Sequence, residues 1–241
     1  MVRKVSRPLA WAAYAAAVLG ATLLTGMDGC EPCAKYTAGV TPADFSSGLA
    51  NPYYPLIPGT VYRYRKDTDE GIEEATITIT DQVRVVAGVT CVVVRDTSTV
   101  NGELAEDTFD WFAQDNLGNV WYFGEDTKEY EDGAVASTAG SWEAGVNGAE
   151  PGIIMLAEPA VGNAYRQEFL CGEAEDEAEV IAIDSEASVG ETTYTDCVKT
   201  RDFSRLDPDV VESKYYAPGI GFVLAEETDG GLELISVTNP L

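Results

Sequence analysis

The 241-residue chain is long enough to bury a substantial core, and 45% hydrophobic with 23% charged residues is not the composition of a disordered segment. Forty-one acidic against 15 basic residues give a net charge of −26, a field that repels nucleic acid and anionic lipid headgroups. There is no histidine, which excludes Ser-His-Asp and Cys-His catalysis and most catalytic zinc sites.

The chain begins as an export signal. Arg3, Lys4 and Arg7 form a basic start, and Leu9 to Leu24 is an apolar, Ala-rich run, short for a permanent span of about 20 residues. Residues 1–29 therefore read as a signal peptide. Gly29-Cys30 resembles the lipid-attachment junction of bacterial lipoproteins, although Met27 and Asp28 depart from the usual small-residue pattern. The alternative is cleavage near Gly26 to Gly29 and release. Any membrane association is expected through that lipid alone, with the protein exported to the cell envelope. Cys30-Glu31-Pro32-Cys33 has the spacing of a thiol redox motif but lacks the preceding strand and following helix that such a motif needs. If Cys30 carries lipid, Cys33, Cys91, Cys171 and Cys197 remain as disulfide candidates in an oxidising compartment, with the pairing open. Cys91 and Cys197 could meet across a pseudo-twofold axis, pair locally, or be buried thiols.

Residues 30–58 form a tether and lead-in, punctuated by Pro42, Pro52, Pro55 and Pro58, that no helix is expected to cross. From residue 59 the pattern is β. Val61 to Arg65 alternates Tyr62 and Tyr64 on one face with Arg63 and Arg65 on the other. Asp67 to Gly71 reads as a solvated turn. Ala75 to Thr80 alternates Thr with Ile, and Val83 to Val94 reads as a hairpin about Ala87-Gly88. Phe109 to Phe112 and Val120 to Phe123 flank a turn of Asp115, Asn116, Leu117, Gly118 and Asn119, the clearest hairpin in the chain. Its Trp111 and Trp121 are expected to anchor a core, or to line a cavity for an apolar or sugar ligand. The oxygen-rich Asp115, Asn116 and Asn119 form a candidate Ca²⁺ site, the one metal entertained; no organic cofactor is expected. Glu125 to Gly133 reads as an exposed acidic hairpin, and Ile153 to Leu156 as a short apolar strand.

The second half echoes the first. Cys91-Val92-Val93-Val94-Arg95-Asp96 returns as Cys197-Val198-Lys199-Thr200-Arg201-Asp202, and Gly59-Thr60-Val61-Tyr62-Arg63 as Gly162-Asn163-Ala164-Tyr165-Arg166. The offset is 103 residues at Tyr62 and Tyr165 and 106 at Cys91 and Cys197, which points to one duplicated β unit. Residues 59–241 thus read as a single β domain: unit one 59–125, connector 126–160, unit two 161–241. The expected fold is all-β, an antiparallel curved sheet or half-barrel built from two tandem related units.

The phrases Asp-Trp-Phe-Ala-Gln-Asp…Gly-Asn-Val-Trp-Tyr-Phe-Gly, within Asp110 to Gly124, and Lys-Tyr-Tyr-Ala-Pro-Gly-Ile-Gly-Phe-Val, at Lys214 to Val223, resemble a family of uncharacterised secreted bacterial proteins. The resemblance runs from Asn51 to Val237. The Tyr-Ala-Pro-Gly phrase is also similar to domains with the curved-sheet architecture of the periplasmic lipoprotein carriers. These resemblances imply an exported all-β protein and carry over no catalytic residues.

The functional expectation is a non-catalytic envelope protein whose curved sheet holds an apolar small molecule, a lipid or a protein partner. Tyr62, Trp111, Trp121, Tyr165 and Tyr215 are the candidate contact residues. The alternatives are a carboxylate hydrolase of envelope polysaccharide, using the cluster of Glu106, Asp107 and Asp110 with Glu212, or a Ca²⁺-stabilised surface structural protein.

Overall fold

A computed structural model describes residues 35–45, 51–68, 71–227 and 230–240. The export signal, Cys30 and Cys33 lie outside the described residues. Fifteen strands make up almost all regular structure there, with one short 3₁₀ turn at Pro42–Asp44. The first meander comprises β1 (Val61–Thr68), β2 (Gly71–Val86), β3 (Val89–Val100), β4 (Glu103–Gln114) and β5 (Val120–Glu131). The connector adds β6 (Ala134–Ser137), β7 (Trp142–Glu143) and β8 (Glu150–Met155). Then come β9 (Ala164–Arg166), β10 (Glu168–Phe169), β11 (Asp176–Val189), β12 (Thr192–Ser204), β13 (Val211–Ala217), β14 (Gly221–Glu227) and β15 (Gly230–Thr238).

All pairings are antiparallel, in the order β10-β8-β5-β4-β3-β2-β1-β15-β14-β13-β12-β11-β9. The two ends of this path meet in one stretch of chain. Ala164–Arg166 pairs with β11, and two residues on Glu168–Phe169 pairs with β8. The sheet therefore curls into a nearly closed barrel, more complete than a half-barrel, and closure leaves few unpaired edges.

Each meander strand is long and rich in β-branched and aromatic residues, and its turns use residues that tolerate left-handed backbone. Ala87-Gly88, Asn101-Gly102 and Asp132-Gly133 all have positive φ. Successive turns fall at opposite ends of the barrel. One end carries Ala87-Gly88, Asp115 to Asn119, Gly190-Glu191 and Pro218 to Ile220; we refer to it as the upper end. Asn101-Gly102, Asp132-Gly133 and residues 205–210 lie at the lower end.

The interior changes character along this axis. Its upper half is apolar: Tyr62, Tyr64, Ile77, Ile79, Val94, Phe112, Tyr122, Val180, Val198 and Tyr216 are all buried. The lead-in seals that end. Asn51 donates through its side chain to the carbonyls of Gly118 and Leu156, and the Gly219 amide donates to the Pro52 carbonyl, so Tyr54 is held over Phe112 at a ring distance of 5.4 Å. The space left beneath Tyr54 and Pro55 is about 10 Å³, room for about one water. The expected concave apolar face exists, but the chain's own aromatics fill it.

On the outer face Trp111, Trp121 and Phe123 are buried. Phe45 packs edge-on against Trp121 and Phe123, and the Arg84 guanidinium lies 3.9 Å from the Trp111 ring centre.

Candidate functional site

Two places could do chemistry or bind a ligand: a groove at the upper end, and the lower half of the barrel interior.

The groove, of about 620 Å³, opens between the Asp115–Asn119 turn and the chain leading from β8 to β9. Its volume is within the range of small-molecule sites. Leu117, Ile153 and Leu156 form its apolar wall; Asn119, Glu158 and Asn163 supply polar groups. Leu117 is 80% exposed at the hairpin tip, an unusual position for a leucine. The floor is rigid. Asn119 Oδ1 accepts the Ala157 amide at 2.9 Å, and Asn163 Oδ1 accepts the Ala160 amide at 2.8 Å. The Tyr165 ring lines the groove, while its hydroxyl is buried without a hydrogen-bond partner; burial, reinforced by Asp202, holds that phenol well above its ordinary pKa.

The turn itself is held by one carboxylate. Asp115 Oδ1 accepts the amides of Leu117 and Asn119, and Oδ2 accepts Asn119 Nδ2 and the Trp121 indole N–H, all at 2.8–2.9 Å. Asn116 Nδ2 donates to the Ala43 carbonyl. A Ca²⁺ ion at Asp115, Asn116 and Asn119 would have to displace four N–H donors. Among the described residues no group of three or more His, Cys, Asp or Glu side chains is arranged to hold a metal.

The barrel's lower half buries many polar side chains. The inward positions that carry Phe112 and Tyr122 higher up carry Asp110, Thr108 and Glu106 on β4, and Glu125 and Thr127 on β5. The Tyr122 hydroxyl donates to Asp110 Oδ1 at 2.8 Å, and the Trp142 indole donates to Glu168 Oε2 at 3.0 Å. Thr108 donates to Glu106, and Thr127 to Glu125. Burial pushes the Asp110 carboxyl up to about 7, with Glu106 adding to the rise against the Tyr122 hydrogen bond. Burial also raises Glu125 and Glu168 well above the carboxylate range, helped by Asp110 at Glu125 and by Asp176 at both. Across the interior, Lys214 lies between Asp202 (3.1 Å) and Glu212 (3.3 Å), and Lys66 pairs with Glu227.

The contact residues expected from sequence do not share one surface. Tyr62 faces the filled upper interior, Trp121 lies under Phe45 of the lead, Trp111 lies under Arg84 of β2, and Tyr215 packs outside with Lys199 over its ring. Only Tyr165 of the five lines the groove. The proposed acid pair Glu106 and Asp110 does converge, but inside the wall, 5% and 2% exposed, where no polysaccharide chain lies within reach. Asp107 instead faces outward and pairs with Arg95. Glu125, read as part of an exposed hairpin, is 3% exposed: the positive-φ Gly124 lets the strand kink and turn it inward.

Among the described residues no two cysteines pair. Cys91 and Cys197 are free, buried thiols, with five strands between β3 and β12 in the sheet, so they do not meet across an axis. Burial drives the Cys91 thiol up to about 12, which leaves it unreactive. Cys171 is disulfide-bonded.

No family model matches this chain, and no curated protein matches it. Among solved structures it is similar to a Bacteroides fragilis protein, inferred to be exported and described as having a YmcC-like fold, at 12% identity and TM-score 0.45 over 78% of this chain and 99% of that one. It is also similar to an inferred lipoprotein of Parabacteroides distasonis, at 12% identity and TM-score 0.43 over 79% of this chain and all of that one.

Proposed function

We propose that this chain is a non-catalytic exported protein of the cell envelope, tethered by a lipid on Cys30, that binds an uncharged amphipathic small molecule in the upper groove. The export reading comes from the basic start and the 9–24 apolar run. The observation that carries the binding role is the groove itself, an open space of about 620 Å³ with the exposed Leu117 side chain at its lip and backbone-anchored amides behind it. An apolar tail would lie against Leu117, Ile153 and Leu156, and a polar head would meet Asn119 and Asn163. Glu158 and the overall charge disfavour anionic heads. The apolar-ligand role expected of the curved sheet thus moves from the sealed interior to this edge.

The neutral dye N-phenyl-1-naphthylamine tests this. Its fluorescence should rise on mixing with the protein, and Leu117→Asp and Leu156→Asp should each remove most of the rise without changing the melting temperature by much. No rise, or a rise that both variants keep, rejects the groove as the site.

A further inference from the structure

The chain has two Asn-Gly pairs, Asn101-Gly102 and Asn147-Gly148. Both asparagines have φ of 53°, and the glycines after them have φ of 82° and 85°. The backbone is thus alike at the two sites, in the left-handed turn geometry that Asn-Gly favours. What differs is the hold on the asparagine. Asn101 is fastened to β2: its amide donates to the Ile72 carbonyl at 2.8 Å, and its Oδ1 accepts the Ile72 amide at 3.1 Å.

Asn147 has no such hold. It is exposed in the connector between β7 and β8, and its carboxamide makes no hydrogen bond to any described residue. The Gly148 amide makes none either. A methyl group added to Gly148 would meet nothing within 4 Å, so the turn stands in open space. Two hydrogen bonds close it, from the Gly145 amide to the Ala149 carbonyl and from the Ala149 amide to the Val146 carbonyl, both 2.9 Å. Neither ties down the Gly148 nitrogen or the Asn147 side chain, the two groups that react when an Asn-Gly pair rearranges. A solvent-facing loop tip of this kind opens at little cost in free energy.

We propose that Asn147 is a site of spontaneous deamidation, which converts this turn to isoaspartate while Asn101 is preserved. The Gly148 nitrogen, losing its proton to solvent, attacks Cγ of Asn147. A C–N bond forms, the Cγ–Nδ2 bond breaks, and ammonia leaves. Water then opens the resulting cyclic imide. Cleavage of the new Cγ–N bond leaves aspartate; cleavage of the original backbone C–N bond leaves isoaspartate, with the main chain routed through the side chain. Water is consumed and ammonia released, and nothing is oxidised or reduced. Isoaspartate adds a methylene to the main chain between Val146 and Gly148, so the hydrogen bond from Ala149 to Val146 cannot keep its geometry. Ala149, 3% exposed, and Glu150, whose carboxylate accepts the Ala38 amide at 3.2 Å, are the first neighbours to feel the change.

The test is to warm the whole chain at mildly alkaline pH and follow each asparagine over time by peptide mapping. Mass spectrometry reads the amide-to-acid mass gain, and electron-transfer fragmentation separates isoaspartate from aspartate. The same incubation in concentrated urea gives the unprotected rates, which should be similar at the two Asn-Gly pairs. In the folded protein Asn147 should convert about tenfold or more faster than Asn101, which must first break both hydrogen bonds to Ile72. Isoaspartate should accumulate at Asn147, and amide exchange should quicken at Ala149 in the converted fraction. Equal rates at the two sites in the folded chain, or protection of both relative to urea, overturns the proposal. Every reading is made on the unaltered sequence, so no variant has to fold.

Discussion

The Trp121 indole N–H donates to Asp115 Oδ2 at 2.9 Å, tying the second arm of the β4–β5 hairpin to the residue that opens its turn. Asp115 is 5% exposed and satisfies four donors, so its loss orphans an indole and two backbone amides together. Asp115→Ala should cost roughly 3 kcal/mol in urea unfolding and should shift the tryptophan emission to the red. Because the same turn forms the groove lip, dye binding should weaken as well. An unchanged unfolding midpoint would show that water replaces the carboxylate without loss.

Stability should fall as pH rises through neutrality. Asp110 is pushed up to about 7 in the folded chain, and Glu125 and Glu168 are raised well above their ordinary range, against an ordinary carboxylate value of about 4 when unfolded. A raised folded-state pKa gives a stabilisation that is complete below the unfolded value and drains away up to the folded one. Exposed carboxylates have finished titrating by about pH 6, so the interval from about 6 to about 8 isolates the enclosed acids. The urea midpoint should drop across that interval in the wild type and much less in Asp110→Asn with Glu168→Gln. A midpoint that holds level in the wild type would mean the interior acids are already ionised.

Lys214 offers the opposite experiment. Its ammonium is the described counter-charge between Asp202 and Glu212, so Lys214→Met leaves two enclosed carboxylates facing each other. The expected loss is about 3–5 kcal/mol in urea unfolding. A loss under about 1 kcal/mol would show that the charge pairing adds little.

Gly152 tests barrel closure. A Cβ there would run into the carbonyl of Gln167, the residue between β9 and β10, where the chain passes from one end of the sheet to the other. Gly152→Ala should therefore cost about 3 kcal/mol or more by forcing the backbones apart. Amide exchange should speed up first at Glu168, Phe169 and Glu150, not in the β2–β3 hairpin.

Much of this architecture is written in the sequence. The alternation of Tyr62 and Tyr64, the Asp115 to Asn119 turn and the strand of Val120 to Phe123 lie where the pattern puts them, because period-two polarity and turn residues act locally. Which face turns inward is another matter. Alternation says that the Glu106-Thr108-Asp110 side differs from the Trp111-Ala113 side, and ordinary sheets put such acids in water. Here the tryptophan side is covered by Phe45 and Arg84, and the acid side by the barrel's own curvature; both depend on contacts far apart in sequence. The groove was hidden for the same reason, since Leu117 and Asn163 are 46 residues apart in the chain. The echo between the two halves remains a proposal from sequence, to which each half adds an antiparallel meander.

β15 occupies the seam between β1 and β14, pairing Val61 with Thr238 on one side and Leu224 with Glu233 on the other. Both neighbours are made earlier than the strand that joins them, and until it arrives each exposes a bare row of amides and carbonyls. A chain threaded outward from its amino end would thus stay unzipped throughout its passage and lock only on the far side, so the order of assembly itself favours delivery before folding.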